Sequence, residues 1–277
     1  MNIPSLIYKY LPVEGALKTL ENCSIRVTPP NELNDPFECM PCGYDGLSPQ
    51  MLMSNYKDKL LLDKYCFYYN SRMKTNYTPA EWREMITNMP EEALLSFFNK
   101  ICKGLNNRDW RGWVNSLSKR YGISSFSESY DTVTMWAHYA ENHNGLVISF
   151  HSDEFSQLLY PVKYLDSRIK VLPSNVTTME ARRNVLMEIM TTKKRIWENE
   201  REWRLISVLS TLTSKDNIFL FPFNINAIDS LYFGVHRSDD FFYKCLRLLD
   251  SHKATPKLYQ MKLNTTSGTL QPELLAR

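Results

Sequence analysis

Apolar and polar positions change rhythm three times along the chain. Ile3 to Tyr10 alternates as a strand. Val13 to Asn22 places Ala16, Leu17 and Leu20 on one helical face, and Ser24 to Val27 predicts a second strand before Pro29-Pro30. This βαβ-like opening ends in the polar run Asn31 to Glu38. From about Ser48 to Tyr121 the period becomes helical. Thr78-Pro79-Ala80-Glu81 spells a capping box with proline at the first helical position, and Pro90-Glu91-Glu92 opens another helix. Leu94, Phe97, Phe98, Ile101 and Leu105 then keep helical spacing, as do Trp110, Trp113, Val114, Leu117 and Tyr121, whose indoles read as packing residues. Gly122 is the expected stop.

Short strands and helices follow. Ile123 to Ser127 predicts a strand, Thr132 to Glu141 a helix and Gly145 to Phe150 a strand. Thr178 to Trp197 reads as a long helix with Ala181, Val185, Ile189 and Ile196 in register, leading into a strand from Trp203 to Leu209. Ile218 to Phe221, Ile228 to Val235 and Leu258 to Leu263 complete the strands, with a helix over Asp239 to Asp250. The expected architecture is α+β: one domain over residues 1–277, with a helical insertion at about 48–121.

Composition narrows the class. Of 277 residues, 43% are apolar and 13% aromatic, with a net charge of +3, which predicts a folded globule. A pI near 8.4 permits a nucleic-acid partner without demanding one. The six cysteines are scattered through a chain too long to need disulfide staples and read as reduced. No signal-like segment or apolar run of membrane-spanning length appears, so the expected location is cytoplasmic, with no membrane partner. With nine glycines and no G-x-G-x-x-G, G-x-x-x-x-G-K, G-x-S-x-G or H-E-x-x-H, the common dinucleotide, P-loop, hydrolase and zincin classes are disfavoured. Cys39 and Cys42 form a lone C-x-x-C, short of the four ligands of a structural zinc site. His138 and His143, five apart, fall on different helix faces, and no metal is expected.

Three clusters carry candidate chemistry. Asn34-Asp35-Pro36-Phe37-Glu38 gathers two carboxylates and an amide at a turn, which an Asx-type turn also explains. Ser125-Phe126-Ser127 alternates, so both hydroxyls face one side, and Met135, Trp136, Tyr139 and Ala140 form a helical face that serves either a core or a ring-stacking wall. In Trp197 to Arg204, an extended chain would align Glu198, Glu200 and Glu202 on one face and Arg201 and Trp203 on the other.

The blocks Tyr8-Lys9-Tyr10, Asn34 to Glu38, Ser125 to Gly145 and Lys193 to Arg204 resemble a bacterial family of domains of unknown function. Their arrangement is similar to the ADP-ribosyltransferase fold, a split mixed/antiparallel sheet, and in particular to DarT-like nucleic-acid-modifying toxins. The resemblance implies a mono-ADP-ribosyltransferase, a toxin or antiviral (phage-defence) effector that moves ADP-ribose from NAD to RNA or DNA in preference to protein. Glu202 would be catalytic, with Glu200 or Asp35 helping to deprotonate the acceptor. Tyr8, Lys9, Tyr10, Asn34, Ser125, Ser127, Trp136 and Tyr139 would contact NAD, Lys9 standing where the family carries histidine or arginine. A cognate antitoxin is a further implication. Two other classes stay open. One is a Mg-dependent nuclease using Asp35, Glu38, Glu200 and Glu202. The other is a non-enzymatic binding module that meets phosphate through Lys193-Lys194-Arg195 and Arg182-Arg183.

Overall fold

A computed structural model describes residues 3–41, 49–50, 53, 63, 66, 69–70, 74–106, 110–169 and 178–275. In chain order the elements are β1 (Leu6–Leu11), α1 (Val13–Asn22), β2 (Ser24–Val27), α2 (Pro79–Thr87), α3 (Glu91–Asn106), α4 (Trp110–Ser118), β3 (Tyr121–Ser127), α5 (Val133–Tyr139), β4 (Leu146–His151), β5 (Leu159–Pro161) and β6 (Lys163–Leu165). There follow α6 (Met179–Met190), β7 (Thr192–Lys194), β8 (Glu202–Val208), β9 (Thr213–Lys215), β10 (Ile218–Pro222), β11 (Ile228–Phe233), α7 (Asp239–Ser251), β12 (Lys257–Asn264) and β13 (Thr269–Leu274). The chain divides into two compact units: Met1–Glu38, Asn115–Asp166 and Lys193–Arg277 in one, Cys39–Val114 and Ser167–Thr192 in the other.

The first unit is built on a mixed sheet in the order β13-β12-β11-β4-β1-β3-β8-β5. Only β11 and β12 run parallel; the other neighbours are antiparallel. A second sheet, β2-β10-β9, stands beside it. Because the strands are central, both faces are covered and their apolar runs are nearly continuous. On one face Ile7, Phe126, Phe150, Leu205 and Phe233 meet Ala16 and Leu20 of α1 and Phe241, Cys245 and Leu249 of α7. Each such fully buried large side chain contributes about 1.5–3 kcal/mol. On the other face Tyr10, Val147, Tyr232 and Met261 pack against Met135, Trp136 and Ala140 of α5. In the second unit Trp82, Ile86, Leu94, Phe98 and Cys102 form a separate core. The capping box opens α2 as read: the Glu81 amide donates to Thr78 Oγ1 at 3.2 Å, and the Thr78 amide to Glu81 Oε2 at 2.8 Å.

The structure corrects several expected boundaries. β1 starts at Leu6 rather than Ile3. The helix with Val114 and Leu117 ends at Ser118, so Tyr121 opens β3 and Gly122 lies inside that strand. There a Cβ would come within 2.6 Å of Val27 Cγ1 and 2.7 Å of Leu209 Cδ2, so this glycine answers to close packing rather than to a helix stop. The helix expected to reach Glu141 ends at Tyr139. Glu141, Asn142 and His143 then take φ of 51°, 50° and 67°, a left-handed turn closed by Gly145. The long helix read through to Trp197 stops at Met190, because Thr192–Lys194 turns to pair with β6. Ile196, assigned to its apolar face, is 84% exposed. Strands β5, β6, β7, β9 and β13 are absent from the sequence reading. Cys42, the side chains of Ile101, Leu105 and Trp110, and much of the stretch expected to be helical between 48 and 73 lie outside the described residues. Trp113 is only half-buried. Among the described residues no helix is long and apolar enough to cross a membrane.

Candidate active site

Three blocks far apart in sequence become neighbours because β1, β3 and β8 are adjacent in the sheet. Tyr8 pairs with Ser127, and Ser127 with Glu202, while Ser125 pairs with Arg204. Strand alternation therefore places Ser125, Ser127, Glu202 and Arg204 on one face, with Tyr8 and Tyr10 beside them. Residues 195–200 are not extended: they form a 3-10 turn that ends at Arg201 with φ of 45°. That turn sends Glu198 outward to a surface pair with Arg195, leaves Arg201 exposed, and brings Glu200 in beside Glu202. Two of the three aligned acids thus converge and the third does not.

Glu200 and Glu202 are each 4% exposed and share a counter-ion, Lys193. Its ammonium donates to Glu200 Oε2 at 2.6 Å and to Glu202 Oε2 at 3.2 Å, and lies 3.7 Å from Glu38 Oε1. Arg204 donates from Nε to Glu202 Oε1 at 2.8 Å and from Nη2 to Glu202 Oε2 at 3.0 Å, and pairs with Glu38 as well. Glu202 thus accepts from Arg204 on both oxygens and from Lys193 on one, with Ser125 beside it in the cleft wall. Glu200 retains spare capacity: among the described residues, besides Lys193 its carboxylate accepts only the Tyr139 hydroxyl, at 2.6 Å. Burial pushes the Glu202 carboxyl up, against the pull of Lys193. Burial also acts to lower Lys193, but Glu202 and Glu200 outweigh it and hold the ammonium above the ordinary lysine value.

The other expected site residues take distinct places. Asn34 donates to the Tyr139 hydroxyl at 3.0 Å, extending the chain Asn34–Tyr139–Glu200. Asp35 accepts the Phe37 amide at 2.9 Å and the Trp197 indole N–H at 3.1 Å, so it is a turn residue and an anchor and does not join the glutamates. Ser127 is fully buried and donates to the Glu200 carbonyl at 2.7 Å, a backbone brace. Trp136 is likewise fully buried, with its indole N–H on the Tyr130 carbonyl at 2.7 Å, which makes it core rather than a ring-binding wall. Tyr10 donates to the Ser129 carbonyl. Lys9 alternates to the opposite face, where Nζ donates to Ser124 Oγ and the Ser125 carbonyl, both at 2.9 Å.

Around Glu200 and Glu202 lies a cleft of about 90 Å³, lined by Tyr8, Tyr10, Asn34, Ser125 and Tyr139 among others. This holds a ring-sized group and is smaller than the pockets of drug-sized ligands. Lys193, Arg204 and Glu38 are the residues whose importance the chemistry of NAD did not suggest. Arg204 left a signal, since an arginine two places beyond a glutamate in an apolar strand must be paired when buried. Lys193 was read as a phosphate contact and is instead 7% exposed amid acids; Lys194 and Arg195 are engaged with Asp166. Tyrosines missed by the sequence reading continue the same face: Tyr130 stacks on Tyr232 with centroids 4.4 Å apart, and Tyr232 on Tyr259 at 4.9 Å. Among the described residues no group of three or more His, Cys, Asp and Glu side chains is placed to hold a metal ion.

No curated protein and no solved structure matches the chain. Residues 135–205, which carry Tyr139, Lys193, Glu200, Glu202 and Arg204, match the model of a family described as a protein of unknown function (DUF2971).

Proposed function

We propose that the chain is a mono-ADP-ribosyltransferase that moves ADP-ribose from NAD to a macromolecule, nucleic acid before protein. The observation that carries this reading is Glu202 at the head of β8, facing a cleft whose other walls include the tyrosines of β1, Ser125 of β3 and Tyr139 of α5. These are the elements that the resemblance to DarT-like toxins requires to meet. Breaking the nicotinamide–ribose bond builds positive charge on the ribose, as in glycoside cleavage, and a fixed carboxylate stabilises that charge. Ser125 and Glu202 line the cleft together, where a ribose hydroxyl would meet the carboxylate. Glu200, with acceptor capacity to spare and Tyr139 on its other oxygen, is the group for the acceptor's proton. The cleft takes the nicotinamide end, and the rest of the dinucleotide lies outside it. A toxin or defence role, with a neutralising partner, belongs to the same reading.

The nuclease alternative needs the acids to converge, and Glu38, Glu200 and Glu202 do. They converge on Lys193 and Arg204, however, so the seat of a divalent cation is already taken by the protein's own charges. Incubation with labelled NAD and separate pools of RNA, DNA and protein decides the matter. Label is expected in a nucleic-acid pool, unaffected by EDTA, and lowered roughly 10²-fold or more in Glu202→Gln. Circular dichroism and a thermal melt of the variant verify its fold. Transfer undiminished in a folded Glu202→Gln, or label in no pool, removes the assignment.

A further inference from the structure

The outer strand β5 runs antiparallel to β8 as far as Pro161, opposite Trp203, and the next residue adds one more bond: the Val162 amide donates to the Glu202 carbonyl at 2.9 Å. In an antiparallel pair bonded this way, the opposite residue returns its own amide to the partner's carbonyl. Here it does not. The Glu202 amide donates instead to the Tyr164 hydroxyl, at 2.7 Å. After Val162 the chain leaves β8 to form β6, which pairs with β7, the strand that carries Lys193. A phenol oxygen therefore completes a ladder that the backbone abandons.

The residue held in this way opens β8. It follows Arg201, whose φ of 45° lies in the left-handed region that an arginine adopts at a cost. A strand end beside such a residue frays unless its backbone groups are bonded. The amide of Glu202 is fixed by Tyr164, its carbonyl by Val162, and its carboxylate by Lys193, which donates at 3.2 Å, besides Arg204. Tyr164 is half-buried and is not among the residues that line the cleft, so it acts on Glu202 from outside the space a ligand would fill. Burial raises its hydroxyl above the ordinary tyrosine value, and the charges of Glu202 and Glu200 add to the shift against the pull of the amide bond and Lys193, so it meets the amide as a neutral phenol.

We propose that Tyr164 is a positioning residue for Glu202: its hydroxyl, by accepting the Glu202 amide, fixes the backbone that aims the carboxylate into the cleft. In its consequence for catalysis this rests on the transferase reading, in which a preorganised carboxylate stabilises charge that develops on the ribose. A carboxylate that is present but poorly aimed lowers turnover and leaves NAD binding intact, because the interaction it makes is strongest in the transition state.

The test compares wild type, Tyr164→Phe and Glu202→Gln. Tyr164→Phe removes one oxygen and keeps the ring, and a thermal melt verifies its fold. The kcat for transfer from labelled NAD is expected to fall about tenfold or more in Tyr164→Phe, with the KM for NAD unchanged. A second readout needs no transfer. In ¹⁵N-labelled wild type the Glu202 amide is expected to exchange with solvent as slowly as that of Leu205, although it opens the strand, and in Tyr164→Phe to exchange about tenfold faster or more while Leu205 stays protected. If kcat survives in Tyr164→Phe but is lost in Glu202→Gln, or if KM rises in step with the fall in kcat, the positioning role is overturned and the transferase reading stands. If wild type transfers nothing, the transferase reading falls and exchange alone decides. Fast exchange at Glu202 in wild type, equal exchange in the two proteins, or loss of protection at Leu205 as well overturns the proposal.

Discussion

At the scale of single residues, Lys193 shows how one ammonium can organise a site. It touches Glu200 and Glu202 and lies near Glu38, with its nitrogen 5.1 Å from the centre of the Trp197 ring. Breaking a buried pair costs about 3–5 kcal/mol, because the surviving charges keep their desolvation penalty. Lys193→Met is therefore expected to lower the unfolding free energy by about that amount, and Glu200→Gln in the same chain to restore part of it, as read by urea denaturation. The pH dependence has a definite sign. The folded-state value of Lys193 is raised above 10.5, so its contribution is present below that pH. As pH rises past 10.5 the unfolded chain loses its proton first and the contribution declines. A Lys193→Met protein lacks that component of the alkaline decline. The sequence could not assign this residue, because Lys193-Lys194-Arg195 looks the same whether solvated or buried, and only the termination of α6 at Met190 turns Lys193 inward.

At the scale of elements, α1, β2 and the capping box of α2 were legible to the residue, because their signals are local. The strands β5, β6 and β7 are three residues each and carry no period long enough to read. Glu200 and Glu202 were legible as a pair, but the 3-10 turn that separates them from Glu198 depends on a left-handed Arg201, a conformation that arginine does not advertise. Gly145 is a case where the residue type was clear and its reason was not. A Cβ there would meet the Leu11 carbonyl oxygen at 2.1 Å and the Ala140 carbonyl oxygen at 3.1 Å. Gly145→Ala must push β4 from the end of β1, and a loss of at least about 2 kcal/mol is expected by denaturant unfolding. Full retention of stability would show that the turn from Glu141 to His143 gives way at no cost.

At the scale of the molecule, the sheet brings together what the chain separates. The order β4-β1-β3-β8 makes a strand near residue 8 the neighbour of acids near residue 200, and no local pattern contains that order. The α+β class was legible from composition and period. A mixed sheet was what the resemblance implied; its order of eight strands and the second sheet beside it were not legible, because they depend on pairings between distant segments. The same sheet has a physical property unrelated to the cleft. Its outer strands are β5 and β13, and each holds a proline, Pro161 and Pro272, in a row that would otherwise offer backbone donors to another copy. Pro272→Thr is expected to raise self-association, seen as a concentration-dependent gain in sedimentation coefficient, with the melting temperature little changed. Two proline rings at the edges of the sheet, one of them paired with the strand that carries Glu202, thereby set how crowded a solution of this protein can become before its sheets begin to join.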